Sequence, residues 1–171
     1  MEGEIVNKVA NSSLKIFDLE DYYPVNQRMQ IDISQWLYEG FVLREKEFRA
    51  SLKEVDWSMY QDAYVGLNCS TDAILPGWTY MLLTSYLQPF AKRTFIGSVE
   101  DIEKSIYQEI LFAIDYSEYK DLPVIVKGCS NKTIPEEAYV LATQLIMPYA
   151  RSVMFGEACS AVPIYKRSSK Q

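Results

Sequence analysis

The sequence predicts an α/β fold: a single domain, 1–171, with a mixed, largely parallel sheet flanked by helices. Three observations predict it. In the second half, apolar runs of strand length alternate with segments of helical periodicity. One strand-helix-strand unit occurs twice. The composition, 49% hydrophobic and 23% charged over 171 residues, suits a chain that buries one sizeable core without a disulfide or metal staple.

Residues 1–28 read as an arm packed on the domain, with scattered apolar positions closed by the proline of "DLEDYYP". Residues 29–60 read as a lead-in. Met29 to Ile33 alternate like a strand, and "GFVLR" from Gly40 is a second short strand candidate. In "REKEFRASLKEV", Phe48, Leu52 and Val55 recur at helical spacing with charges between them, which predicts an amphipathic helix. Residues 61–171 form the core of the prediction. "AYVGLNC" reads as a buried strand, 76–88 as a helix and "RTFIG" as a strand. Ile102, Ile106, Ile110 and Ile114 stripe a helix over 99–114, with Ser98 and Asp101 spaced as a capping box. Then come the strand "VIVKG", a helix over about 135–147 and the strand "RSVMFG".

Residues 64–97 align with 124–156 when one gap follows the cysteine. The matches are Cys69/Cys129, Ser70/Ser130, Pro76/Pro135, Tyr80/Tyr139, Leu82/Leu141, Thr84/Thr143, Pro89/Pro148, Ala91/Ala150 and Gly97/Gly156. Average residue usage would give roughly two identities over this length. Shared punctuation accounts for the prolines and glycines but leaves the Cys-Ser, Tyr, Leu and Thr matches unexplained. The unit therefore reads as a duplicated β-α-β, and two copies, too few for a solenoid, are expected to share one sheet.

Charge and residue types narrow the chemistry. A net charge of -6 opposes non-specific nucleic-acid binding, which needs basic surface. The first residues carry acids and no apolar signal region, and no apolar run reaches the ~20 residues that cross a bilayer. The expected location is cytoplasmic, with no membrane and no nucleic-acid partner. Three cysteines, an odd number, fit reduced thiols. With no histidine, Ser-His-Asp and Cys-His nucleophiles and His-ligated zinc are excluded. No GxGxxG or Walker sequence is present, so nucleotide signatures are missing too.

The duplication places Cys69 and Cys129 at the carboxyl end of a strand and before a helix, where ligands bind in open α/β sheets and thiolates are stabilised. Cys159 follows the last strand of the second copy, again before a serine. With parallel strands, the pairs Cys69-Ser70, Cys129-Ser130 and Cys159-Ser160 would lie on one edge. Three thiols suit an iron-sulfur cluster or zinc, with Asp72 or Glu157 as an oxygen ligand. Against this, close Cys-x-x-Cys spacing is missing and free cysteine is commonly a buried filler. Thr133 and Glu136 have capping-box spacing that the first copy lacks, which leaves the Cys69 loop, with Asp72, as the freer of the two. The 13 tyrosines and three tryptophans fit core and interface packing.

The segments "EIVNKVANSSLKIFDLEDYYP", "LREKEFR", "LNCSTDAILPGWTYMLL", "KGCSNKTIPEEAY" and "GEACSAVPIYKR" resemble, along the whole chain, the bacterial domain-of-unknown-function family 2480. That family carries no assigned activity. Through gene neighbourhood alone, the resemblance implies a role near the SUF-type iron-sulfur assembly machinery. Two readings stay open: an accessory protein handling a cluster, sulfur or metal through Cys69, Cys129 and Cys159, or a non-catalytic, homodimeric binding or scaffold domain with structural cysteines. An enzyme ranks third, with Asp72 and Lys127 as nominal bases.

Overall fold

A computed structural model describes residues 13–128 and 131–168. In chain order the strands are β1 (Lys15–Asp18), β2 (Arg28–Asp32), β3 (Tyr64–Asn68), β4 (Arg93–Ile96), β5 (Pro123–Lys127), β6 (Ser152–Phe155) and β7 (Val162–Lys166). The helices are α1 (Glu45–Lys53), α2 (Gly77–Leu87), α3 (Val99–Ala113) and α4 (Glu136–Ile146). The chain divides into two compact units. A central unit spans Pro24–Ser105, and a terminal unit combines the residues up to Tyr23 with those from Ile106 onward.

Each unit is built around one strand paired on both sides. The central unit has the order β2-β3-β4, all parallel. The terminal unit has β1-β5-β6-β7, parallel except for antiparallel β7. β3 buries Tyr64, Val65, Gly66 and Leu67, and β5 buries Val124, Ile125 and Val126. Continuous apolar runs of this kind belong to parallel strands covered on both faces.

The α/β class and the parallel pairing agree with the sequence. The expected single sheet is instead two, and the copies of the repeat fall one in each. The cause is upstream: β3 takes β2 as its second neighbour and β5 takes β1, so each copy completes a sheet of its own. β1 lies in the segment read as an arm, where four residues are too few to display alternation. "GFVLR" makes no strand; only a bridge between Tyr38 and Val42 forms, around positive φ at Glu39 (49°) and Gly40 (78°). β7 was unforeseen because its Pro163 reads as loop, yet proline is tolerated on an edge strand.

The register of the repeat is gapless. α2 runs from 77 to 87 and α4 from 136 to 146, a shift of 59. The same shift carries β3 onto β5, and it carries the bond from the Gly97 N–H to the Leu67 carbonyl onto that from Gly156 to Val126. It also extends the repeat upstream: Asp56, Ser58, Tyr60 and Asp62 match Asp115, Ser117, Tyr119 and Asp121. Both Asp62 and Asp121 have positive φ, at 56° and 59°. Phe48 and Leu52 of α1 correspond to Tyr107 and Leu111 of α3, and all four are buried.

The two cores follow from these equivalences. In the terminal unit Phe17, Tyr116 and Tyr119 pack together with Val124, Val126 and Ala142. In the central unit Phe48 lies between Trp36 and Trp78, while Trp57 meets Tyr60 and Tyr86. These aromatics are core residues, as expected, while Tyr38 and Tyr149 are exposed. The Ser98 capping box forms as predicted, the Ser98 N–H donating to Asp101 Oδ2 at 2.8 Å and the Asp101 N–H to Ser98 Oγ at 3.3 Å. Thr133 and Glu136 form no such box, because α4 starts at Glu136 with Pro135 as its cap.

Gly66 corresponds to buried Ile125, and the difference is steric. A Cβ on Gly66 would lie 2.8 Å from the Gly97 carbonyl oxygen and 3.0 Å from Ile102 Cδ1. Gly66→Ala is expected to lower stability by about 1–3 kcal/mol, the usual cost of overpacking. Urea unfolding of the variant measures it; an unchanged midpoint would show that this close approach is not needed.

Candidate functional site

The carboxyl ends of the parallel strands form one polar edge in each unit. In the central unit, Asp32 ends β2 and caps the 3-10 turn Ile33–Trp36. Its Oδ1 accepts the backbone N–H groups of Ser34 at 2.9 Å and Ser70 at 3.0 Å. The Ser34 and Ser70 hydroxyls lie 2.9 Å apart, so Asp32 ties the loop after β2 to the loop after β3. Burial pushes the Asp32 carboxyl up, but the Ser70 hydroxyl, the two N–H groups and the Ser34 hydroxyl outweigh it and hold the group at about 2. Beside it, Asn68 Oδ1 is buried with no hydrogen-bond partner among the described residues.

The terminal unit repeats this plan with different chemistry. Asp18 ends β1 and caps the turn Leu19–Tyr22, its Oδ1 accepting the Glu20 N–H at 3.0 Å. Where the central unit has Asn68, this unit has Lys127, whose Nζ lies 3.1 Å from Asp18 Oδ2 and 3.8 Å from Glu157 Oε1. The hydrogen bond that the Lys127 ammonium donates to Asp18, then the charges of Asp18 and Glu157, raise Lys127 above its ordinary range. Lys127 is thereby engaged in an ion pair with Asp18. Glu20 Oε1 accepts the Asn131 N–H at 2.9 Å, closing the loop after β5 as Asp32 closes its counterpart.

Contrary to what the sequence suggested, Cys69 and Cys159 do not share the edge of one sheet. Cys69 follows β3 in one sheet and Cys159 follows β6 in the other. Cys69 is half-buried against the central core, its sulfur 3.4 Å from the Thr71 hydroxyl. Cys159 is exposed on the turn closed by the Ser160 N–H and the Glu157 carbonyl. Cys129 and Ser130 lie outside the described residues. In the gapless register Cys69 corresponds to Gly128, where a Cβ would come within 2.8 Å of the Tyr139 hydroxyl. Asp72 is exposed and does not cap α2, which starts after Pro76. Among the described residues no group of three or more Cys, Asp or Glu is arranged to hold a metal ion.

A feature unread in the sequence occurs twice. A cleft of about 460 Å³ lies between α2 and β4, and one of about 480 Å³ between α4 and β6. Their linings are equivalent under the repeat: Leu67 with Val126, Tyr80 with Tyr139, Thr84 with Thr143, Thr94 with Val153, Phe95 with Met154 and Ile96 with Phe155. Thr84 and Thr143 each donate their hydroxyl to the carbonyl one helical turn back, on Tyr80 and Tyr139, at 2.8 Å. The hydroxyls are thereby satisfied within the helix, leaving walls that are mostly apolar. The repeated Tyr and Thr identities, which punctuation did not explain, were the signal for these clefts. The signal for Asp18 and Asp32 was an aspartate ending a short apolar stretch two residues before a polar one, the pattern of an Asx turn.

Asp32→Ala is expected to cost about 1 kcal/mol in urea unfolding at neutral pH, as loss of such a cap does. The native carboxyl titrates below the ~3.9 of an unfolded aspartate. The cost is thus complete above about pH 4 and fades as pH falls toward 2. A cost that stays constant across that range would contradict the ionised cap. No helix among the described residues is long and apolar enough to cross a membrane. No curated protein and no solved structure matches the chain significantly. A family model described as a protein of unknown function (DUF2480) matches residues 3–167, and by that nearly whole-length match the chain belongs to this family.

Proposed function

We infer that the protein is a non-catalytic binding domain whose ligand site is the apolar cleft between α2 and β4. The observation that carries this reading is that the same cleft is built twice from equivalent residues and gains a lining residue from an added strand in only one of them. In the terminal unit Ile164 of β7 and Glu136 also line the cleft, whereas among the described residues no added strand lines the central cleft. Apolar concavities with a few hydroxyls are what small apolar groups and side chains occupy. The polar edges support the same reading from the other direction. Asp32 is consumed in holding two loops together and Lys127 in an ion pair, so each has a structural task.

Two measurements test this. On titration with 2-propanol as a small apolar probe, the methyl resonances of Met81 and Ile96 are expected to shift before those of Ile74 and Val25. The latter two are 95% and 91% exposed but lie outside the cleft. Shifts of equal size at all four would refute a binding cleft. Protein purified without oxygen is expected to carry no stoichiometric iron, sulfide or zinc. A full equivalent that disappears in the Cys69→Ser, Cys129→Ser, Cys159→Ser triple variant would overturn the reading in favour of cluster or metal handling.

A further inference from the structure

The two sheets end differently beyond the repeated strands. In the terminal unit the outer edge of β6 is paired with β7, antiparallel, Phe155 opposite Val162 and Ser152 opposite Lys166. The register shifts between Val153 and Met154, and Ile164, from the stretch of β7 facing this irregularity, lines the cleft against α4. In the central unit the equivalent strand β4 is the last of its sheet, and no described strand pairs with its outer edge. An open edge is usually blunted by proline, a bulge or charge along the strand. β4 is "RTFI", with one charge at its start, and that guanidinium lies 5.9 Å from the Phe95 ring. The flanks of the open edge are apolar and exposed: Ile96 is 65% and Met81 74% accessible.

We propose that β4 accepts an extended segment of a partner protein as an added antiparallel strand. An uncharged aliphatic side chain of that segment lies against the α2/β4 cleft as Ile164 lines the α4/β6 cleft. Strand addition beside a helix is a recurring mode of peptide recognition, in which backbone hydrogen bonds supply affinity and the adjoining pocket supplies selectivity. The copy already flanked by an added strand within this chain serves as the template. It shows that the strand after the repeated helix can take an antiparallel neighbour, and that an isoleucine of that neighbour lines the cleft beside the helix. The chemistry of the occupant follows from one difference: Glu136 lines the α4/β6 cleft, while its counterpart is Gly77, so no carboxylate lines the α2/β4 cleft. The proposal rests on the binding-domain reading.

The test uses the full chain and a fluorescein-labelled peptide of the sequence SAVPIYKR, residues 160–167. Saturable anisotropy is expected, weakened at least about tenfold by Met81→Glu but not by Val140→Glu, its counterpart on α4. Both positions are exposed, at 74% and 60%, so both variants are expected to fold, which circular dichroism checks. A peptide carrying Ile164→Asp is expected not to bind, and N-methylation of one alternating set of peptide amides to abolish binding while the other set is tolerated. Absence of saturable binding to about 1 mM peptide overturns the proposal. So does equal weakening by both glutamate variants, or sedimentation showing that β4 pairs instead with a second copy of the chain. If 2-propanol collects at Met81 and Ile96 while the peptide fails, strand addition alone falls; if neither binds, the cleft reading falls with it.

Discussion

Everything in this structure is arranged around two strands, β3 and β5, that are hydrogen-bonded on both sides and buried along their length. A parallel strand in that position needs a crossover helix and a neighbour on each side, because its backbone groups have no water to turn to. The downstream neighbour comes from the repeat itself, through α2 or α4. The upstream neighbour comes from a short strand ending in aspartate, β2 or β1. That aspartate turns the chain away from the sheet by capping a 3-10 turn, and in the central unit it also holds the loop that follows β3.

Divergence between the copies marks where each unit meets a different demand. Ile125 fills a position that Gly66 leaves empty, since the start of α3 and the Gly97 carbonyl occupy that space. Lys127 neutralises Asp18 across the terminal edge, while Asn68 beside Asp32 carries no charge and Asp32 is satisfied by N–H and hydroxyl donors instead. Cys69 stands where Gly128 is required by the approach of Tyr139, Ile134 and Leu19. These exchanges are local, and none disturbs the pairing of strands or the placement of helices.

The edges diverge most. β7 closes one sheet with five residues, among them a proline, and β4 leaves the other unfinished among the described residues. The repeated clefts differ accordingly: Ile164 of β7 lines one, and the other has no such lining residue among the described residues. At the carboxyl edges, which in many α/β folds carry chemistry, Asp32 holds two loops together and Lys127 pairs with Asp18.

The sequence by itself determined the element types of the second half, the capping of α3, the aromatic cores and the existence of a repeat, because each is written in local periodicity or in residues that face the same environment twice. It misplaced the repeat by one residue at the cysteines, since the Cys-Ser identities invited a gap that strand pairing does not contain. β1 and β7 escaped notice because four or five residues carry too little pattern, and a strand's neighbours decide whether it forms. Only the tertiary structure decided that the copies build two sheets, that Cys69 and Cys159 follow strands of different sheets, and that Tyr80 and Thr84 line a cleft. Those facts depend on which strand pairs with which, and hydrogen bonds between segments a hundred residues apart leave no trace in the spacing of side chains along the chain.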